Sequence, residues 1–317
     1  MGLGCVGYVS CAVVAAFGFA GSAEAGPELL VTSFFSDNIV RIDMATGAKT
    51  GSIEGVSGLD GPLCTRVGPD GLLYVASEGT DNVLRFDPLT GAKVDEFVLT
   101  GAGGLDAPTS LAWDRNGNLC VASFTQNAVR RFDGATGAFI DTMVTPGLGG
   151  LNGADNGMTF GPDGNLYVPS YNTNRVLRYD GETGAFLGTF ISSILRPRVL
   201  VFEEDGDLLI TSEGGSSVRR YDGTTGAHLG NLVTSGSGGL SGAVGMVVGP
   251  DGYLYVTSAN NDRVLRYDAV TGAFIDVFAT GAAMGFDGPV FLTIVPGPSA
   301  FALFGIAFIT WSRRRAR

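Results

Sequence analysis

Histidine is almost absent from this chain: His228 is the only one in 317 residues. Lysine is nearly as scarce, with Lys49 and Lys93 alone. Charged residues are 16% of the total, and 20 basic residues face 31 acidic ones, for a net charge of −11. A chain this poor in positive charge has no basic field to offer a phosphate backbone, which excludes nucleic acid as a partner. One histidine also leaves little room for histidine general-base chemistry. Cysteine is limited to four positions, and Cys5 and Cys11 fall in the unusual first 25 residues. What is abundant is apolar residues, at 45%, and glycine, at 50. The apolar content excludes a disordered chain. The glycines gather at turns and not at every third place, which excludes collagen. Many tight turns between short apolar runs point to a large all-β domain.

Both ends differ from the middle. Ala12–Ala20 is an apolar run of small residues, and Ala23-Glu24-Ala25 follows it in the A-x-A pattern of a cleavage site. Residues 1–25 therefore read as a secretory signal peptide cut after Ala25, although no Lys or Arg precedes the apolar run. At the other end, Pro296, Gly297 and Pro298 precede an apolar run from Ala300 to Trp311, and Arg313, Arg314, Arg315 and Arg317 close the chain. As a helix that run would reach about 18 Å, short of the roughly 30 Å hydrocarbon core. It predicts transient membrane contact, with the arginines on the cytoplasmic side. The order of Pro–Gly–Pro, short span and Arg cluster resembles the PEP-CTERM sorting tail of Gram-negative bacteria, with Gly297 where that tail usually has Glu. The resemblance covers residues 296–317. It implies processing by an exosortase-like enzyme and delivery to the cell surface or extracellular matrix. A lasting membrane anchor is the alternative. Without the two ends, 16 basic and 30 acidic residues remain, for a net charge of −14. Such a body repels anionic lipid as well as nucleic acid.

The middle is repetitive. Arg-x-Asp-x-x-Thr-Gly-Ala begins at Arg41, Arg85, Arg131, Arg178, Arg220 and Arg266, at spacings of 44, 46, 47, 42 and 46 residues. A second turn recurs between apolar runs at Pro69-Asp70-Gly71, Asn116-Gly117, Pro162-Asp163-Gly164, Asp205-Gly206 and Pro250-Asp251-Gly252. Each repeat reads as four short strands, and six such sheets bury their faces only by packing radially. The expected fold is all-β: a six-bladed β-propeller of four-stranded antiparallel blades over residues 26–295. Repeat one lacks its first strand, and an extra strand at 289–294 is expected to supply it and close the ring. Asp43, Asp87, Asp133, Asp180, Asp222 and Asp268 each open a turn and read as scaffold. Ser33, Ser77, Ser123, Ser170, Ser212 and Ser258 recur once per repeat and have no partnered base. Cys64 and Cys120 fall on different repeats and are expected to be free, buried thiols.

The phrase Gly249-Pro250-Asp251-Gly252-Tyr253-Leu254-Tyr255-Val256, with the Arg-Val-Leu-Arg-Tyr-Asp that follows, resembles the six-bladed NHL, virginiamycin-B-lyase-like and gluconolactonase-like propellers. The resemblance covers residues 26–295 and implies fold more than activity, because these folds carry lyases, lactonases and binding platforms alike. The lyase branch implies histidine at the channel mouth, whereas His228 follows an outer turn. The gluconolactonase branch implies a divalent ion at the mouth.

Long Gly-rich loops at 101–107, 147–156, 235–242 and 281–288 lead into the inner strands and are expected to form that mouth. Asp60, Asp106, Asp155 and Asp287 stand near the starts of four inner strands, with Asn152 and Asn156 flanking Asp155. Glu78 and Glu213 follow the second strands of repeats two and five, opposite each other in a six-blade ring. Oxygens converging from these eight residues would suit Ca²⁺ or another divalent ion. Arg196 and Arg198, in repeat five, are candidates to pair with these acids, which counts against the metal. The expected function is an exported, monomeric propeller that binds a protein or polysaccharide at one face. The competing class is a metal-dependent hydrolase or lyase at the acidic mouth.

Overall fold

The computed structural model describes residues 26–296. The expected leader, Ala25, Gly297 and Pro298 lie outside the described residues, and Pro296 is the last of them. Six four-stranded antiparallel sheets stand around one axis. Blade one runs from the axis outward as Pro289–Val295, Glu28–Ser33, Asn38–Asp43 and Lys49–Ile53. The inner strands of blades two to six are Pro62–Val67, Pro108–Trp113, Thr159–Phe160, Pro197–Phe202 and Ala243–Val248. Ring closure follows the expected scheme: the C-terminal strand pairs with Glu28–Ser33 from Glu28 opposite Val295 to Ser33 opposite Pro289. Each innermost strand keeps one short edge, which faces the axis and is protected there.

The strands form because apolar residues alternate or run continuously where two blades meet. Leu73–Ser77, Leu119–Ser123 and Leu166–Ser170, second strands of blades two to four, are buried along their whole length. The recurring motif shows its mechanics in the third-to-outer turn. Asp180 Oδ1 accepts the Thr183 N–H and hydroxyl, both at 2.8 Å, and Thr183 Oγ1 accepts the Ala185 N–H at 3.3 Å. The same bonds form in blade one at Asp43 and Thr46, both at 2.7 Å. Threonine hydroxyls and backbone N–H groups hold Asp43, Asp133, Asp180, Asp222 and Asp268 below the usual carboxylate range, and Asp87 is lowered chiefly by the Thr90 N–H.

The motif's glycine does more than turn the chain. Gly184 has φ +71°, and a Cβ there would sit 1.7 Å from the Met143 carbonyl oxygen of the preceding blade. Gly137, Gly226 and Gly272 approach the preceding outer strand's backbone in the same way, and there only glycine allows the approach, whereas Gly47 and Gly91 meet side chains of that strand. The motif's arginine has a separate use: Arg85, Arg131 and Arg266 reach Asp95, Asp141 and Asp276 on the outer strand, each pair at 2.5 Å.

Two further sixfold devices fix the blades. The six serines brace the loop that leads into their own blade's inner strand; Ser77 Oγ accepts the Asp60 N–H at 2.8 Å and donates to the Asp60 carbonyl at 3.0 Å. Between blades, a residue at positive φ reaches forward to a backbone N–H. Asp37 takes Gly61, Asp81 takes Ala107, Asn127 takes Gly153, Asn174 takes Arg196, Ser216 takes Gly242 and Asp262 takes Gly288, at 2.6–3.0 Å. Cys64 and Cys120 are free and buried. Among the described residues no helix is long and apolar enough to cross a membrane.

Candidate functional site

The eight residues proposed for the mouth separate into three places. Asp60, Asp106, Asn152 and Asp287 occupy one equivalent position, each bonded through its backbone to the serine of its blade. They form a rim. Asp106 Oδ2 accepts Gln126 Nε2 at 3.0 Å, and Asn152 Oδ1 accepts Asn172 Nδ2 at 2.8 Å. Asp155 stands three residues past the rim position and is 1% exposed. It joins Glu78 and Glu213 in a central cavity. Asn156 lies deeper still, on the axis, where its Nδ2 donates to the Val290 carbonyl of the opposite blade at 3.1 Å.

The cavity encloses about 360 Å³ at the upper mouth. Two positions of the repeat build most of it. The residue after each sixfold serine supplies Phe34, Glu78, Phe124, Tyr171, Glu213 and Ala259. One step into the inner strands come Val290, Leu63, Thr109, Arg198 and Val244, and in blade four Asp155 holds the matching place just after the isolated Ala154–Ser170 bridge, ahead of Thr159–Phe160. The scaffold repeats from blade to blade, and these two rings are where the blades differ. Blades six and one give an apolar wall, and blades four and five give a charged one.

Arg198 organises the charged wall. Its Nη1 lies 2.7 Å from both Asp155 oxygens, and its Nε lies 2.7 Å from Glu213 Oε2. The guanidinium rests 4.4 Å from the Tyr171 ring centre, and the Tyr171 hydroxyl donates to Glu213 Oε1 at 3.1 Å. Arg196 approaches the same Glu213 oxygen at 3.4 Å from the rim. Burial disfavours the Arg198 charge, but the two carboxylates outweigh it and its pKa rises. Burial also pushes the Asp155 carboxyl up, and Arg198 and the Asn156 N–H pull it only part of the way back.

Glu78, across the cavity, has no such partner. It makes no ion pair among the described residues, and burial followed by the charge of Asp155 lifts its carboxyl to about 7. Its Cβ and the Phe34 ring both pack over Gly61. Glu78 and Phe34 also border a second recess of about 490 Å³, which Asp37, Asp60, Asp81 and Asp106 line.

The donor set does not suit a divalent ion as arranged. Arg198 already sits between Asp155 and Glu213, and Asp37 and Asp81 are committed to backbone N–H groups. Among the described residues, three carboxylates converge within 4.8 Å only at Glu203, Asp205 and Asp207, on a first-to-second strand turn at the other end of the ring. His228 opens an outer strand and packs on Tyr221, far from the cavity.

Reading the sequence for oxygen donors found Glu78, Asp155 and Glu213 but passed over Phe34, Phe124 and Tyr171. Their signal was available: each follows a sixfold serine, as Glu78 and Glu213 do.

No known protein family's profile and no curated protein matches this chain. Solved structures do. A chain in a crystal structure of a nidogen/laminin complex superposes with a TM-score of 0.65 and 15% identity, over 85% of this chain and 98% of that one. A protein of unknown function from Bacteroides caccae gives 0.66 and 13%, over 85% and 99%. At these identities the likeness is one of fold: a six-bladed β-propeller.

Proposed function

We propose that the chain is an exported propeller that binds a partner at its upper mouth, as a protein- or polysaccharide-binding module of the cell surface or matrix. The observation that carries this reading is the two-ring cavity, where a regular scaffold presents unlike side chains at its repeat-variable positions. The Asn156–Val290 bond crosses the axis between opposite blades, and Val290 also lines the cavity, which supports a pocket rather than an open pore. The nidogen/laminin chain shows the same fold inside a protein–protein complex, which agrees with a protein partner. The inner strand of blade one starts beside Gly288 at the pocket and ends at Val295 on the opposite face. A tail held at a membrane or sorted from residue 296 onward would therefore leave the pocket facing outward.

The test is retention of the purified chain by matrix protein and matrix polysaccharide, assayed separately. Phe124→Ser with Phe34→Ser should abolish retention and leave the β-rich circular dichroism spectrum unchanged. Equal retention of the variant would end this reading. One observation favours a second: a carboxyl titrating near 7 suits general acid–base catalysis. Under that reading the pocket is a hydrolase or lyase site, and Glu78→Gln would remove turnover of lactones or esters. The metal-dependent form of that reading finds no support in the donor set.

A further inference from the structure

The pocket's interactions are almost all satisfied from within, and one is not. Arg198 takes up Asp155 and Glu213 and stacks on Tyr171. It therefore has little capacity left for an anionic ligand. Glu78 faces the same space with its carboxyl unpaired and with phenylalanine rings beside it. The surroundings are acidic on several elements: Asp155 from blade four, Asp60 from its own blade's lead-in loop and Asp81 three residues on all repel its charge, and Arg198 alone opposes them.

We propose that this pocket receives an alkylammonium group, with the charge at Glu78 and the hydrocarbon stem against Phe34, Phe124 and Val290. The chain already shows the arrangement once, on its other wall, where a cation lies over an aromatic ring and between carboxylates. Aromatic faces and carboxylates together favour an organic cation over a neutral or anionic group. The pocket has room for an amine with a short stem. This deepens the binding role proposed above and rests on it.

The proposal has a proton signature. A carboxyl titrating near 7 is about half protonated at pH 7, and a bound cation holds it ionised. Binding must then release a fraction of a proton.

The experiment is titration calorimetry of the full chain at pH 7 in buffers of different ionisation enthalpy. The probes are butylammonium, a capped lysine amide, pentanol and pentanoate. The two amines should bind at least tenfold tighter than the other two, with proton release. Glu78→Gln should cut amine affinity at least tenfold and remove the proton release. Phe124→Leu, which leaves Glu78 in place, should weaken binding and keep the release. Tighter binding of the capped lysine assigns the group to a polypeptide, and tighter binding of butylammonium assigns it to a free amine; either agrees with the proposal. Preference for pentanol or pentanoate would overturn the charge assignment while leaving a binding pocket. So would amine binding that Glu78→Gln does not weaken. No binding of any probe, joined to matrix retention that ignores the phenylalanines, would overturn the binding role as well.

Discussion

The Asn156 side-chain amide donates to the Val290 carbonyl oxygen at 3.1 Å and so ties blade four to blade one across the axis. Both residues belong to inner strands or their lead-ins, and Asn156 is fully buried. Among the described residues its Oδ1 has no partner. Removing the side chain takes away the Val290 carbonyl's donor, so Asn156→Ala should cost about 2 kcal/mol. Asn156→Asp should cost more, because it places a carboxylate where nothing donates to it. Urea titration checks the order; equal stability of wild type and both variants would remove the axial tie from the account.

Arg198 bears on stability in a different way. Among the described residues it is the only cation paired with the buried Asp155. Arg198→Met leaves Asp155 and Glu213 facing each other and should cost about 3–5 kcal/mol, as loss of one partner in a buried pair does. The loss should be smaller at pH 5 than at pH 8, since a carboxyl already above its ordinary value then takes up a proton. Pairing Asp155→Asn with Arg198→Met should recover part of it. A double variant no better than the single one would show that Arg198 acts through packing on Tyr171.

The forward clasps predict a graded series. Asp81 holds the Ala107 N–H at 2.8 Å and sits at φ +55°. Asp81→Asn should be nearly neutral, because Asn127 and Asn174 do the same work in their blades. Asp81→Ala should cost about 1 kcal/mol for the bond and more for a side chain in the left-handed region. Asp81→Gly keeps the backbone at ease and should fall between them. Melting temperatures in that order support the clasp, and an alanine variant as stable as wild type removes it.

The propeller was legible because its signals are local and repeated. Asp180, Thr183 and Gly184 announce a turn from sequence alone, and their sixfold recurrence announces the ring. The inner strand of blade four shows the limit, since only Thr159 and Phe160 are paired there, against six or seven residues in the other blades. Site residues were legible only as residue types. Asp155 looked equivalent to Asp60, Asp106 and Asp287, yet Asn152 holds the equivalent place and Asp155 is buried. A three-residue offset within a Gly-rich loop carries no sequence mark, because glycine permits many paths. The clasps were missed for the opposite reason: Asp37, Asn127 and Ser216 differ in type, and only the shared positive φ makes them one device.

Ring closure makes the last inner strand essential. Pro289–Val295 supplies blade one's axial wall and pairs along all of Glu28–Ser33. A chain ending at Gly288 exposes Leu29, Leu30 and Val31, each fully buried in the intact ring. It should lose its cooperative thermal transition altogether. A truncated chain that melts sharply at the wild-type temperature would mean that blade one closes without this strand.

Glu78 gives the stability curve an unusual slope. Its carboxyl ionises near 7 in the folded chain, against an ordinary value of 4.5. Below about pH 4.5 both folded and unfolded chains hold the proton, and the pocket exacts nothing. Between there and pH 7 the unfolded chain has lost it while the folded chain keeps it, so raising the pH favours unfolding. The decline ends above 7, by about 2 kcal/mol once the partial exposure of Glu78 is allowed for. The turn acids act in the opposite direction and lower: Asp43 and its five equivalents hold depressed values, so their support is present above about pH 4 and fades as the medium is acidified. Glu78→Gln removes only the upper window. Its stability at pH 8 should exceed that of wild type, and the two should converge near pH 4. Denaturation at pH 4, 5, 6, 7 and 8 measures the difference directly, and a constant gap between the two curves would place the Glu78 carboxyl in ordinary solvent rather than in the pocket.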